Sequence, residues 1–477
     1  MKVLHISAEC YPAAKAGGLG DVVGALPKYL NEAGLSTGVV IPKYRLKWFE
    51  GKTFQSVYQG VVRLHNWHIP FSIQQFTGDS LGFPFFVADI PGLFDRAGVY
   101  ADPDGQNYSD EVERYLAFQQ AVLQWIVNSP GKPALLHCHD HHTGLIPFMV
   151  KHCPEYRSLQ RIPTVFTIHN GAYHGNYGWD KMYLLPFFDA EARGLLDWRH
   201  TINPLATAIK CAWRVTTVSP SYLEELREDS NGMEALLQHE RHKCLGIING
   251  IDTQVWSPKE DPFLLYNWTG SLADFKQSNK AALGPRFRID LKLPLVTFIG
   301  RLVGEKGADL LPDLIDRVLQ SGMQVAFAVL GTGQHWIHDA FRHLANRYPG
   351  RFDVVLEYNE GLAHQLYAGS DFLMMPSRVE PCGLNQMYAM RYGTLPIVRS
   401  VGGLKDTVPD IGVPNNEGRG IRFTHFNLDD GHIAIYRAVE LFHNRAVFED
   451  IRQRITEIDF SWERSAADYR EVYEQMI

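Results

Sequence analysis

The chain has 477 residues, more than one hydrophobic core usually supports, so two domains are expected. Hydrophobic residues at 45% and charged residues at 21% give an ordinary globular composition and exclude a disordered chain. A formal charge of -7 excludes the electrostatic footprint of a nucleic-acid or anionic-membrane binder and favours a neutral partner or a locally held anion.

The opening "MKVLHISAEC" reads as a strand rather than a signal peptide, because its apolar run is short and passes straight into a glycine loop. No window holds the roughly 18 to 20 apolar residues of a membrane span, and a cytoplasmic location is expected. After "VLHIS" and the loop "AECYPAAKAGG", the segment "GLGDVVGALPKYLNEAG" places Leu19, Val22, Val23, Leu26 and Leu30 on one helical face, and "TGVVIP" is the next strand. This order opens a doubly wound parallel sheet. In "KAGGLGDV", Gly17 and Gly18 let backbone N–H groups approach a ligand and Lys15 adds a charge, which suits a phosphate; a tight strand-to-helix connection has the same look.

"HCHDHHTG" packs four histidines, a cysteine and an aspartate into residues 137–144. In an extended segment His137, His139 and His141 share a face, and H-x-H is compatible with zinc, but a metal site needs further convergent ligands. The stretch reads as the end of a buried strand that delivers Asp140, with the histidines as a polar wall and no metal. The six cysteines lack a C-x-x-C pair and read as reduced thiols. In "VFTIHNGAYHG" His169 ends a strand, where it either caps or acts; in "IINGIDTQVW" Asn249 and Asp252 bind a ligand or shape a turn.

A proline-bearing "WSPKEDP" marks the expected hinge, giving domains over residues 1–255 and 256–458. The parallel pattern then restarts: strand "LVTFIG", loop "RLVGEKG", helix "ADLLPDLIDRVLQSG", strand "QVAFAVLGTG". Arg301 and Lys306 sit on the loop leaving a strand's carboxyl end, where open α/β sheets bind ligands; two cations there suit a diphosphate, or form a solvated charged loop. Farther on, "DFLMMPS" is a buried strand followed by Glu380 in Pro-Cys-Gly context, a carboxylate placed to accept sugar hydroxyls or stabilise a cationic centre. "SVGGLKDTV" sets Gly402 and Gly403 before another helix start, again a natural anion site. The last helix, in residues 459–477, carries Trp462, Tyr469 and Tyr473, which need a surface to cover and are expected to cross back onto the first domain.

Taken in order, "KAGGLGDVVGALP", "HCHDHHTG", "FTIHNGAYHG", "VTTVSPSYLEEL", "IINGIDTQVWSP", "GRLVGEKG", "YAGSDFLMMPSRVEPCGLNQMYAMRYGTLP", "VGGLKDTV" and "DFSWE" resemble the bacterial glycogen synthase and plant starch synthase family over nearly the whole chain. The resemblance implies the GT-B architecture, two Rossmann-like α/β domains facing a cleft. It also implies retaining transfer of glucose from ADP-glucose to the non-reducing 4-OH of an α-1,4-glucan such as glycogen, with no cofactor.

Residue by residue, Lys15 matches the lysine of the family's K-x-G-G-L loop, with Asp21 on the same helix. Asp140 and His169 match residues expected around the donor glucose, and Arg301 and Lys306 the pair that holds the ADP diphosphate. Glu380 matches the glutamate of E-P-C-G-L, which continues through Gly383 and Leu384; Gly402, Gly403, Leu404 and Thr407 belong to the loop near the donor's glucose and phosphate, and Asn249 and Tyr358 are further donor-side candidates. The chain departs from the family at His141, where tryptophan is usual, so altered acceptor or wall packing is expected. The rival readings are a transferase using UDP-glucose or a small acceptor, and a weakly catalytic glucan-binding scaffold.

Overall fold

The computed structural model describes residues 2–78, 81–102, 105–413 and 417–477. The chain forms two compact units, one made of Met1–Ile247 with Trp462–Ile477, the other of Ile248–Ser461.

The first unit is built on β1 (Val3–Ile6), β2 (Thr37–Pro42), β3 (Phe54–Leu64), β4 (Trp67–Phe76), β5 (Phe85–Asp89), β6 (Leu135–His139), β7 (Thr164–Ile168), β8 (Asp197–Trp198), β9 (Thr201–Ile202), β10 (Arg214–Thr217) and β11 (Cys244–Gly246). Nine of these form one sheet in the order β11-β10-β7-β6-β1-β2-β5-β4-β3, and β8 and β9 make a separate small ribbon. From β11 to β5 all pairings are parallel, and β1, β2, β6 and β7 are buried along their whole length, as expected for strands covered on both faces. The all-parallel expectation fails at the edge, where β3 and β4 pair antiparallel with each other and β4 with β5. Their alternating or exposed burial and a two-residue turn at His65, whose φ is 54°, are those of a hairpin with one wet face.

The expected first helix spans Gly18–Glu32 and buries Leu19, Val22, Val23, Leu26 and Leu30. The last, Trp462–Glu474, packs on it: Trp462, Tyr469 and Tyr473 share a core cluster with Val22, Leu26 and Leu30. Trp462 is 3% exposed, so Trp462→Ala should destabilise this unit by about 3–5 kcal/mol through lost burial and an unfilled cavity. Urea unfolding checks this, and a change below about 1 kcal/mol would mean that the helix does not hold the unit together.

The second unit carries β12 (Leu295–Ile299), β13 (Ala326–Leu330), β14 (Phe352–Val355), β15 (Phe372–Met375), β16 (Leu395–Arg399) and β17 (Ile421–Phe423) in a fully parallel sheet ordered β14-β13-β12-β15-β16-β17. The order reverses direction around β12 and β15, which makes their carboxyl ends the place where an α/β sheet opens a crevice. The helix after β12 begins at Leu311, later than the sequence pattern suggests, because Pro312 suits a first turn, where no N–H is needed. Among the described residues no helix is long and apolar enough to cross a membrane.

Candidate active site

In the second unit, the neighbouring strands β12 and β15 each end in a loop with charged residues, among them Lys306 after β12 and Glu380 after β15. The loop after β12 makes a short 3-10 turn, Gly304–Lys306, and Gly307 then takes φ 70°. A side chain at Gly307 would collide with the backbone, since a Cβ there would lie 2.1 Å from the Pro376 carbonyl oxygen. This close approach seats the first loop on the second. Lys306 Nζ consequently donates to both oxygens of Glu380, at 2.7 and 2.8 Å, and Ser377 Oγ donates to Glu380 Oε2 at 2.9 Å. Glu380 is 6% exposed, so an unpaired carboxylate there would be costly; the lysine and the serine satisfy it. Arg301 is exposed, with Glu305 3.7 Å away.

The Glu380 loop is pinned from behind. The Gly403 N–H donates to the carbonyls of Glu380 and Pro381, at 3.1 and 3.2 Å, at the start of the helix Gly402–Thr407. Gln386, fully buried, donates to the carbonyls of Cys382 and Gly383 and to Thr407 Oγ1, while Thr407 donates to the Gly403 carbonyl. Thr407 is thus an interior support of the loop and Leu404 is fully buried in the core of the unit, whereas Gly383 and Leu384 lie at the loop's partly exposed turn. The backbone N–H of Asn249 faces the Cys382 thiol, whose pKa burial pushes up to about 12, a poor nucleophile; the buried Asn249 Oδ1 has no partner among the described residues. Tyr358 is 82% exposed on the loop after β14, the edge strand of this sheet.

In the first unit, the Gly-rich loop is closed on itself. Glu9, buried at the end of β1, accepts from the N–H groups of Ala16 and Gly17 at 2.5 and 2.9 Å and from Tyr100 Oη at 2.6 Å. Lys15 donates to Asp21 at 2.6 Å. Two of the donors an anion would use there, the Gly17 amide and the Lys15 ammonium, therefore face carboxylates. Gly17 and Gly18 are exposed, and a Cβ at either would meet nothing within 4 Å.

Asp140 leaves β6 with φ 55° and turns its side chain across to the end of β7, where Oδ1 accepts the His169 N–H at 2.7 Å. Burial pushes its carboxyl up to about 7, against the opposing pull of the His169 and Asn170 amides. His141 does not share the face of His137 and His139, because the strand stops at His139 and His141 opens a 3-10 turn. Its Nε2 instead lies 3.0 Å from Glu111 Oε1, while His142 stacks on Tyr100.

Among the described residues two groups approach metal-ligand spacing, His5 with His137 and His139, and Glu111 with His141 and His142. In the first, both nitrogens of His139 and both of His137 are already hydrogen-bonded, and no carboxylate is included. In the second, ligation through Nε2 would leave a proton on each Nδ1, and both Nδ1 atoms are buried without a partner among the described residues. Ligating histidines normally give that proton to an acceptor, so neither donor set suits an ion.

Lys306, Glu380 and the Gly402–Gly403 turn are thus brought together in one unit, and Asp140 with His169, and Lys15 with Asp21, in the other. Glu9, Tyr100 and Ser377 went unread in the sequence. Gln386 and Ser377 lie within six residues of Glu380 and could have been read as its supports; Glu9 depends on a tyrosine 91 positions away.

Comparisons with known proteins agree with this picture. A starch synthase catalytic domain family profile matches residues 2–239, and one for glycosyl transferases group 1 matches residues 280–413. The chain is 46% identical over 481 residues to a glycogen synthase of Flavobacterium johnsoniae, covering 100% of this chain and 99% of that one. It is 36% identical to a glycogen synthase of Geobacillus thermodenitrificans, with 100% and 98% covered. Among solved structures, the catalytic domain of starch synthase IV from Arabidopsis thaliana, bound to ADP and acarbose, superposes with TM-score 0.87 at 30% identity, covering 100% of this chain and 99% of that one.

Proposed function

Because the chain belongs to the glycogen and starch synthase family of glycosyltransferases, we propose that it transfers glucose from ADP-glucose to the non-reducing 4-OH of an α-1,4-glucan, with retention at the anomeric carbon. The observation that carries the reading is the Lys306–Glu380 pair, a cation and a carboxylate held 2.7 Å apart at two adjacent strand ends. Departure of ADP puts negative charge on the diphosphate, which Lys306 and Arg301 neutralise, while the sugar becomes oxocarbenium-like and Glu380 supplies a nearby negative charge. In the absence of substrate each member of the pair answers the other, so neither is an uncompensated buried charge. Asp140 and His169 serve the donor glucose. Lys15 contacts the donor once it exchanges Asp21 for phosphate. Neither carboxylate is assigned as a covalent nucleophile.

The test is transfer to glycogen from ADP-glucose and UDP-glucose, with the new linkage read by proton NMR. ADP-glucose should be the faster donor and the new linkage α-1,4. A faster UDP-glucose reaction would overturn the donor assignment, a β-linkage the retention, and glycogen binding without transfer would leave a scaffold.

A pH dependence follows from Asp140. Its carboxyl is neutral below about 7 and ionised above, so a role as counter-charge predicts that transfer declines as pH falls through about 7. Stability runs the other way: a raised acid pKa favours the protonated folded form, a contribution complete below the unfolded value of 3.8 and lost as pH rises through about 7. Asp140→Asn should remove this limb of the rate profile and lower the plateau about 10²-fold. An unchanged limb in that variant would assign it to another group.

A further inference from the structure

The polar wall of the first unit has an internal order that follows from strand register. His5 on β1 stands opposite His137 on β6, and His139 stands opposite Thr167 on β7, two residues before His169. Residues two apart share a face, so His5, His137, His139, Thr167 and His169 line one side of three adjacent strands. Along this side runs a chain of two imidazole contacts: His5 Nδ1 to His139 Nε2 at 3.0 Å, and His139 Nδ1 to His169 Nε2 at 3.0 Å. His137 is outside the chain, engaged by Tyr473 Oη and Thr167 Oγ1.

Burial drives His139 far below the ordinary histidine range and His5 and His169 down to about 3, so all three rings are neutral near neutral pH and each carries one proton. Each contact needs a single proton, which leaves two coherent arrangements. In one, every ring is protonated on Nε2, and the fully buried His5 Nε2 holds a hydrogen with no acceptor among the described residues. In the other, every ring is protonated on Nδ1: His5 donates to His139, His139 donates to His169, the unmet buried group is a bare nitrogen on His5, and the N–H without a protein partner is moved to His169, which is 8% exposed. Orphaned buried N–H groups are the rarer and costlier case, so the second arrangement is favoured.

We propose that His139, backed by His5, is a positioning residue that fixes His169 as the tautomer protonated on Nδ1, making His169 a neutral hydrogen-bond donor. This deepens the assignment of His169 to the donor glucose and rests on that reading for its ligand, the oxygen of a sugar hydroxyl. His169 Nδ1 has no hydrogen bond among the described residues, and the residue is 8% exposed, as a group reserved for a ligand would be.

The test is long-range 1H–15N correlation on substrate-free, [15N]histidine-labelled full chain, with the His169 ring identified by the signals that His169→Asn removes. The expected pattern is a protonated Nδ1 and a bare Nε2; a protonated Nε2, or an even average of both, overturns the proposal. In His139→Leu the pattern at His169 should change and transfer should fall about tenfold, the worth of one misdirected hydrogen bond. His139→Asn, whose amide can still donate from near the Nδ1 position, should restore both. A His169 pattern unmoved in His139→Leu reduces His139 to packing and defeats the proposal; if that variant does not fold, the wild-type and His139→Asn spectra decide. The spectra contain no substrate, so failure of the transferase reading would show separately, as a correct tautomer with no transfer from any donor.

Discussion

Glu380→Ala is expected to lower glucosyl transfer on the order of 10³-fold while the chain stays folded. The carboxylate is the acceptor for Lys306 and Ser377 together, and its removal takes away the negative charge proposed to face the developing cation. It also leaves Lys306 without its partner. The cost to stability is smaller than for a fully buried pair, which loses roughly 3–5 kcal/mol when one member is removed, because the Lys306 side chain is 25% exposed and can turn to water. Glu380→Gln separates charge from shape: the amide can still accept from Ser377, but it offers Lys306 no negative charge. A loss in the glutamine variant nearly as deep as in the alanine variant would place the effect in electrostatics. Initial rates beside circular dichroism read both, and a rate within tenfold of wild type in either variant would contradict the assignment.

Gly402→Ala should act on the same centre through the backbone. Gly402 has φ 43°, and a Cβ there would sit 2.1 Å from the Glu380 carbonyl oxygen and 3.0 Å from its carbon. The left-handed conformation alone costs a non-glycine residue about 1–2 kcal/mol. Relief of the contact has to move one of two backbone segments, and the adjacent Gly403 N–H is itself bonded to that carbonyl. A loss of about 3 kcal/mol or more in the second unit is therefore expected. Displacing Glu380 by even an ångström should cost transfer about 10²-fold beyond any loss of folded protein. Urea unfolding and rates normalised to folded enzyme test the two parts, and an alanine variant with wild-type stability would mean that the turn relaxes at no cost.

Much of the frame was legible because it depends on short-range pattern. The apolar spacing in residues 19–30 and 311–319 gave the two helices and their buried faces, and the glycine loops after strands pointed to the carboxyl ends where Lys306 and Glu380 meet. What the sequence hid depends on sheet order. β6 lies between β1 and β7, which brings His5, His139 and His169 into one chain across 134 and 30 positions. The same holds for Glu9, which pairs with Tyr100 and so turns an apparent phosphate loop into one held by a carboxylate. The edge ribbon β3–β4 escaped because its alternation is local and wet on one face, unlike the buried runs that announced the parallel strands. His141 was placed on the strand face because a positive φ at Asp140 is not a property that aspartate displays in sequence.

The most direct test of the central claim is the initial rate of glucose transfer from ADP-glucose to glycogen by the wild type and by Lys306→Ala, each verified as folded. Robust transfer by the wild type and a loss of at least about 10²-fold in the variant are expected, because the charge on departing ADP is then met by Arg301 alone. Equal rates in the two proteins, or no transfer by either, would contradict that claim.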